Sequence, residues 1–134
     1  MEQKMESAIK WLRASFYYGA TADLLVGFLI LMPCRMGEPK FTFPMGLAAS
    51  LMFGWTALLV WGSRAPLERR GVLLLTIVPV IAGIGASTVW AFVAGVFPLP
   101  RAIIWEVLLL SLVVLLGFSY LKARAVVRQM GVNP

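Results

Sequence analysis

The chain has no histidine and a single cysteine, Cys34, among 134 residues. Without histidine there is no imidazole to ligate haem or zinc, or to act as a general base near neutral pH. One cysteine excludes an internal disulfide and a CxxC redox pair; Cys34 reads as a free thiol near one membrane surface. Charge is also scarce. Charged residues make up 13% of the chain against 60% hydrophobic, about half the quarter share with which soluble domains cover their surface. Most of this surface therefore faces something other than water. The net charge of +6 is carried largely by short connectors and termini, so it reads as a membrane-topology signal and excludes nucleic acid as the expected partner. No metal or cofactor motif is present.

What the sequence does have is apolar length. A hydrocarbon core about 30 Å thick takes about 20 apolar residues in helical form. Four segments meet that length, at about 14–32, 43–62, 71–97 and 102–121. The connectors are PCRMGEPKFT, SRAPLERR and PLPR, too short for a soluble domain. The fold class that follows is all-α: a polytopic integral membrane protein with a single four-helix transmembrane bundle. In MEQKMESAIKWLR, Met5, Ile9 and Leu12 or Trp11 share one side, which predicts a short interfacial helix at about 4–13 running into the first span. The first apolar run is longer than a signal-peptide core and no A-x-A site follows it, so it reads as a retained span.

Basic residues set the orientation. Lys4, Lys10, Arg13, Arg64, Arg69, Arg70, Lys122, Arg124 and Arg128 fall on one side, and Arg35, Lys40 and Arg101 on the other. Nine against three places both termini in the cytoplasm by the positive-inside rule, in a multi-pass protein of the cell inner membrane. Trp11, Trp61 and Tyr120 then fall near the inner interface, and Phe41, Phe43, Phe97 and Trp105 near the outer one, as amphipathic rings do. Pro79 lacks an N–H and predicts a kink in the long third span.

Small residues recur every four positions: Gly19, Asp23 and Gly27 in the first span, Gly46, Ser50 and Gly54 in the second, Gly83, Ser87 and Ala91 in the third. Such faces let helices approach closely, and the same faces are compatible with a cavity.

Asp23 lies about nine residues from each end of its span. An aspartate at that depth costs roughly 2.5–3.5 kcal/mol on insertion scales. No Lys or Arg shares its depth, so it is expected to face the bundle interior and to hydrogen-bond to Ser50, Ser87, Thr88, Tyr17 or Tyr18. Glu106 is the second acid within a span. Placed in the first full turn of the fourth span, it would complement the positive end of the helix dipole or pair with Arg101. Together, Asp23, Glu106, Ser50, Ser87, Thr88, Trp90 and Tyr17 form the candidate site, a pocket open toward the outside. Trp55 and Trp90 read first as bundle filling, and Trp90 also as a ligand wall.

Three function classes fit these residues. In the first, a proton- or ion-coupled transporter or channel for a hydrophobic or cationic small molecule, Asp23 alternately binds proton and substrate. In the second, an intramembrane enzyme acting on a lipid or isoprenoid, Asp23 and Glu106 serve as acid and base in an isomerase, cyclase or hydratase. In the third, a non-catalytic subunit or homo-oligomer, Asp23 locks the assembly. The layout of four helices, an acid in the first and glycines in the third distantly resembles the small multidrug resistance family. It departs from that family in having aspartate for glutamate, a longer N-terminus and a strong charge bias.

Overall fold

The computed structural model describes residues 2–32 and 42–129. Cys34, Arg35, Lys40 and Phe41 lie outside the described residues. Among those described, regular structure is entirely helical, and four helices are long and apolar enough to cross a membrane: α1 (Glu2–Leu31), α2 (Thr42–Ser63), α3 (Gly71–Val93) and α4 (Leu99–Gln129).

No glycine or proline interrupts residues 2–18, so nothing separates the short N-terminal helix from the first span, and α1 is continuous. Its buried stripe is Ala8, Leu12, Ser15, Phe16, Gly19, Ala20 and Gly27, at the three- and four-residue spacing of one helix face. The N-terminal turns therefore pack inward. They have something to pack against because α4 runs about two turns past the expected end of its span, burying Ala123, Val126 and Val127. Lys122 Nζ, on this extension, donates to Ser7 Oγ at 2.9 Å. On the exposed side of α1, Lys10 pairs with Glu6 at 2.8 Å. That hydrogen bond and charge hold the Glu6 carboxyl below the usual carboxylate range.

Proline shapes α3. Pro79 sits within a π-helical segment, Thr76–Ile81, flanked by α-helix on both sides. Proline offers no N–H to the carbonyl four residues back and collides with it. A π-bulge accommodates this by widening one turn, and the Ala82 N–H accordingly reaches Ile77 O, five residues back. The helix stops at Val93, earlier than its apolar run. Gly95 adopts φ +72°, Val96 N–H donates to Ala91 O and Gly95 N–H to Phe92 O. This is the Schellman closure, which calls for a left-handed residue at that place. Pro98 O then accepts the N–H groups of Arg101 and Ala102, so α4 starts at Leu99, three residues before its expected start.

The four helices form a bundle around Leu12, Phe16, Leu59, Leu73, Leu112 and Leu116. The closest seam is α1 against α2. A Cβ on Gly62 would lie 2.5 Å from the ring of the fully buried Phe16, and one on Gly27 2.8 Å from that of Phe53. Ser15 and Ser119, both fully buried, join α1 to α4 through a 2.6 Å hydrogen bond. The remaining expected small faces do not pack this way: a Cβ at Gly46, Gly54 or Gly83 would meet nothing within 4 Å. The bundle gathers nine described basic residues at one end, on the N-terminal turns, the 64–70 connector and the end of α4, while Arg101 lies at the other end. At the basic end the Arg69 guanidinium lies 3.5 Å from the centre of the Trp61 ring and donates to Trp61 O at 2.6 Å.

Candidate functional site

A cavity of about 850 Å³ lies among the four helices, within the roughly 300–1,000 Å³ typical of small-molecule pockets. Gly19, Ala22, Asp23 and Val26 line it from α1, Met52 and Trp55 from α2, Thr76, Ile84, Ser87 and Thr88 from α3, and Trp105 and Leu112 from α4. Asp23 is the one ionisable residue in the lining among the described residues.

The hydroxyls around it are already committed. Ser87 Oγ donates to Gly83 O at 2.9 Å and Thr88 Oγ1 to Ile84 O at 3.0 Å, each within its own helix. Thr76 Oγ1 donates to Val72 O at 2.8 Å and accepts from Trp55 Nε1 at 3.1 Å. A hydroxyl has one proton to give, so these groups present lone pairs to the cavity and keep their protons in the helix. Asp23 Oδ2 is buried and has no hydrogen-bond partner.

The expected hydrogen bonds from neighbouring hydroxyls to Asp23 are therefore absent among the described residues. Ser50 donates to Gly46 O, and Tyr18 OH pairs with Ser111 Oγ at 3.3 Å. Serine and threonine on a helix reach the carbonyl of the preceding turn more readily than a neighbouring helix.

Of the sequence-derived site residues, Asp23, Ser87 and Thr88 come together in the lining. Ser50, Tyr17 and Trp90 do not: all three are exposed, Trp90 to 76%, so Trp90 neither fills the bundle nor walls the cavity. Trp55 is half-buried and combines lining the cavity with bridging α2 to α3. Trp105 and Phe97, read from the sequence as belt aromatics, also line the cavity.

Glu106 also lies outside the lining. It is the eighth residue of α4, which has no acid in its first turn, so the helix-dipole role does not apply. Arg101 is turned to Phe97, its guanidinium 5.7 Å from the ring centre, and makes no ion pair with Glu106 among the described residues. The Glu106 carboxylate instead lies against Gly85 of α3, where an added Cβ would sit 3.6 and 3.8 Å from its two oxygens. Its Oε1 is buried and unpartnered. Among the described residues, Asp23 Oδ2 and Glu106 Oε1 are the two buried side-chain polar atoms left without a partner.

No family model, curated relative or solved structure matches this chain.

The residues sequence reasoning missed are Thr76 and the Ser15–Ser119 pair. Thr76 lies three residues before Pro79, and a hydroxyl beside a helix-breaking proline was the available signal. The serine pair carries no local signal, since its members are more than a hundred residues apart.

Proposed function

We propose that this chain is an integral membrane protein with both termini cytoplasmic, and that it transports a largely apolar small molecule carrying a cationic or hydrogen-bond-donating group. The carboxyl of Asp23 binds that group and a proton in turn. The observation that carries this reading is the unpartnered Asp23 Oδ2 in a cavity whose other side-chain oxygens have their protons turned away. The acceptors that Asp23, Thr76, Ser87 and Thr88 offer complement a donor and repel an anion. Acids placed within membrane spans commonly serve ion and proton pathways.

The cytoplasmic placement of the termini is supported by the nine basic residues at one end of the bundle, by the positive-inside rule. The exchange is balanced: an ammonium group entering from one side takes the place of the proton on the carboxyl, which leaves to that same side, and once the ammonium has left on the other side a proton taken up there restores the carboxyl. The acid–base enzyme reading needs Asp23 and Glu106 to act on one substrate, and Glu106 lies outside the cavity lining, so the geometry favours transport.

The test is flux in proteoliposomes carrying an imposed pH gradient. Alkylamines, alcohols and carboxylates of the same chain length are compared, with the wild-type protein and with Asp23→Asn. The amine should move, the carboxylate should not, and Asp23→Asn should lose amine movement. Amine flux unchanged in Asp23→Asn would remove the carboxyl from the mechanism.

A further inference from the structure

We infer that the cavity opens sideways between α2 and α3 into the bilayer, and that its occupant is a single-chain amphiphilic amine that arrives dissolved in the membrane. The choice of an amine rests on the functional reading above; the side entrance rests on geometry alone.

The four seams around the cavity are held to different extents. The α1–α2 seam is closed by Gly19 against Leu59 and Gly27 against Phe53. The α1–α4 seam is held on the basic side of Asp23, by Ser15 with Ser119 and by Tyr18 with Ser111. The α3–α4 seam is closed by Gly85 against Glu106 and Leu109. The fourth seam, α2 with α3, is held at the basic end, where the 64–70 connector joins the helices and Trp55 donates to Thr76. Beyond that bond the helices part.

Leu51 of α2, Pro79, Gly83 and Ser87 of α3 and Leu108 of α4 line the cavity and are also exposed on the outer surface, and four of these five flank the α2–α3 seam. Residues with both properties mark a mouth. Leu51 precedes Ser63 by twelve residues and Gly83 follows Gly71 by twelve, so they face each other at about the same height, given similar rises per residue. The space in front of Gly83 is open to 4 Å.

The chemistry of the mouth selects the route. It holds no charged side chain, and its one hydroxyl, Ser87, is committed to Gly83 O. A hydrated ion finds nothing there to replace its water, whereas a hydrocarbon chain loses nothing by passing. A molecule already in the bilayer enters tail and body together and meets Asp23, the single ionisable group of the lining among the described residues.

The test uses bromine on lipid acyl chains as a contact quencher of tryptophan. The chain has five tryptophans; single-tryptophan proteins keep either Trp55, in the cavity, or Trp90, 76% exposed on the outer face. In vesicles of brominated phosphatidylcholine, Trp55 should be quenched to a degree comparable with Trp90. Linking Leu51→Cys to Gly83→Cys with a bismaleimide, in a Cys34→Ala background, should relieve quenching of Trp55 and leave Trp90 unchanged. Where removing four tryptophans prevents folding, the difference between the unmodified chain and Trp55→Phe gives the same reading. Trp55 shielded from acyl bromine but quenched by aqueous iodide would overturn the side entrance.

Asp23→Asn separates the two ideas. Quenching of Trp55 that persists while amine flux is lost supports both. Quenching that persists with flux intact removes Asp23 from transport and leaves the entrance standing. Flux lost in Asp23→Asn with Trp55 shielded in the unmodified chain leaves Asp23 in place and overturns the entrance.

Discussion

Ser15 and Ser119 share a 2.6 Å hydrogen bond where α1 crosses α4, and both side chains are fully buried. Each also lies near a main-chain carbonyl of the opposite helix, Ser15 Oγ at 3.4 Å from Leu115 O and Ser119 Oγ at 3.3 Å from Trp11 O. One serine donates to the other, and the acceptor donates its own O–H to a carbonyl of the opposite helix. Interhelical polar contacts of this kind average about 0.6 kcal/mol and reach about 1.7 kcal/mol in membrane proteins. Ser15→Ala and Ser119→Ala should each cost within that range. The double replacement should cost clearly less than their sum, because the shared bond is lost once. Reversible unfolding in mixed micelles, run as a double-mutant cycle, measures the coupling.

Glycines that look alike in the sequence should respond in opposite directions to alanine. A Cβ at Gly62 would lie 2.5 Å from the Phe16 ring, which is fully buried and has little room to yield. Overpacking of that kind costs about 1–3 kcal/mol. At Gly54 the added methyl meets nothing within 4 Å, and alanine there gains about 1 kcal/mol of helix propensity over glycine. Gly62→Ala should lower the thermal midpoint in detergent, and Gly54→Ala should hold or raise it. Matched shifts in the two variants would be inconsistent with the helix contacts described here.

Asp23 should be a liability for stability. Its Oδ2 is buried without a partner, and an unsatisfied polar atom costs about 1–3 kcal/mol. Asp23→Leu should raise the unfolding midpoint while abolishing amine flux, the opposition expected where a site is retained for function at the expense of stability. A midpoint that falls by several degrees would mean that Asp23 holds the helices together, as an assembly lock would.

Glu106 should behave differently. Its Oε1 is also buried and unpartnered, so Glu106→Leu should raise stability too. Because Glu106 is outside the cavity lining, Glu106→Gln should leave amine flux close to that of the unmodified chain. Gly85→Ala places a methyl 3.6 Å from the nearer carboxylate oxygen, an ordinary contact, and should be tolerated. Flux lost in Glu106→Gln as completely as in Asp23→Asn would restore the two-carboxylate reading.

The four apolar helices, the helical turns ahead of the first span and the clustering of Lys and Arg were legible along the chain, although the inward packing of those turns and the ends of α3 and α4 were not. α1 and α4 continue past their apolar runs because each supplies the other with a surface, seen in Lys122 donating to Ser7 and in the burial of Ala8 and Ala123. Hydropathy scores residues singly and cannot register a pair of helices that extend together. The early end of α3 had a local cause in Gly95, whose left-handed backbone closes the helix.

The site was half legible. Asp23, Ser87 and Thr88 reach the cavity, while Ser50, Tyr17, Trp90 and Glu106 do not. Depth follows from counting residues along a helix. Direction depends on how each helix is turned about its axis, where one residue is about 100°. The π segment at Thr76–Ile81 adds a change of phase within α3, so the faces before and after Pro79 do not continue one another as an unbroken α-helical count would suggest.

By itself, then, the sequence determined helical segments of membrane-crossing length and a carboxyl deep within the first of them. Both follow from local chemistry: a backbone in an apolar medium satisfies its hydrogen bonds within a helix, and an apolar run of about 20 residues spans the hydrocarbon core. Only the tertiary structure decided which seams close and which stays open. A stripe of small residues reads the same whether a neighbour packs into it, as Phe53 does at Gly27, or leaves it empty, as at Gly83. That difference lies in the partner helix, and it is what leaves Asp23 beside a cavity instead of beside a side chain.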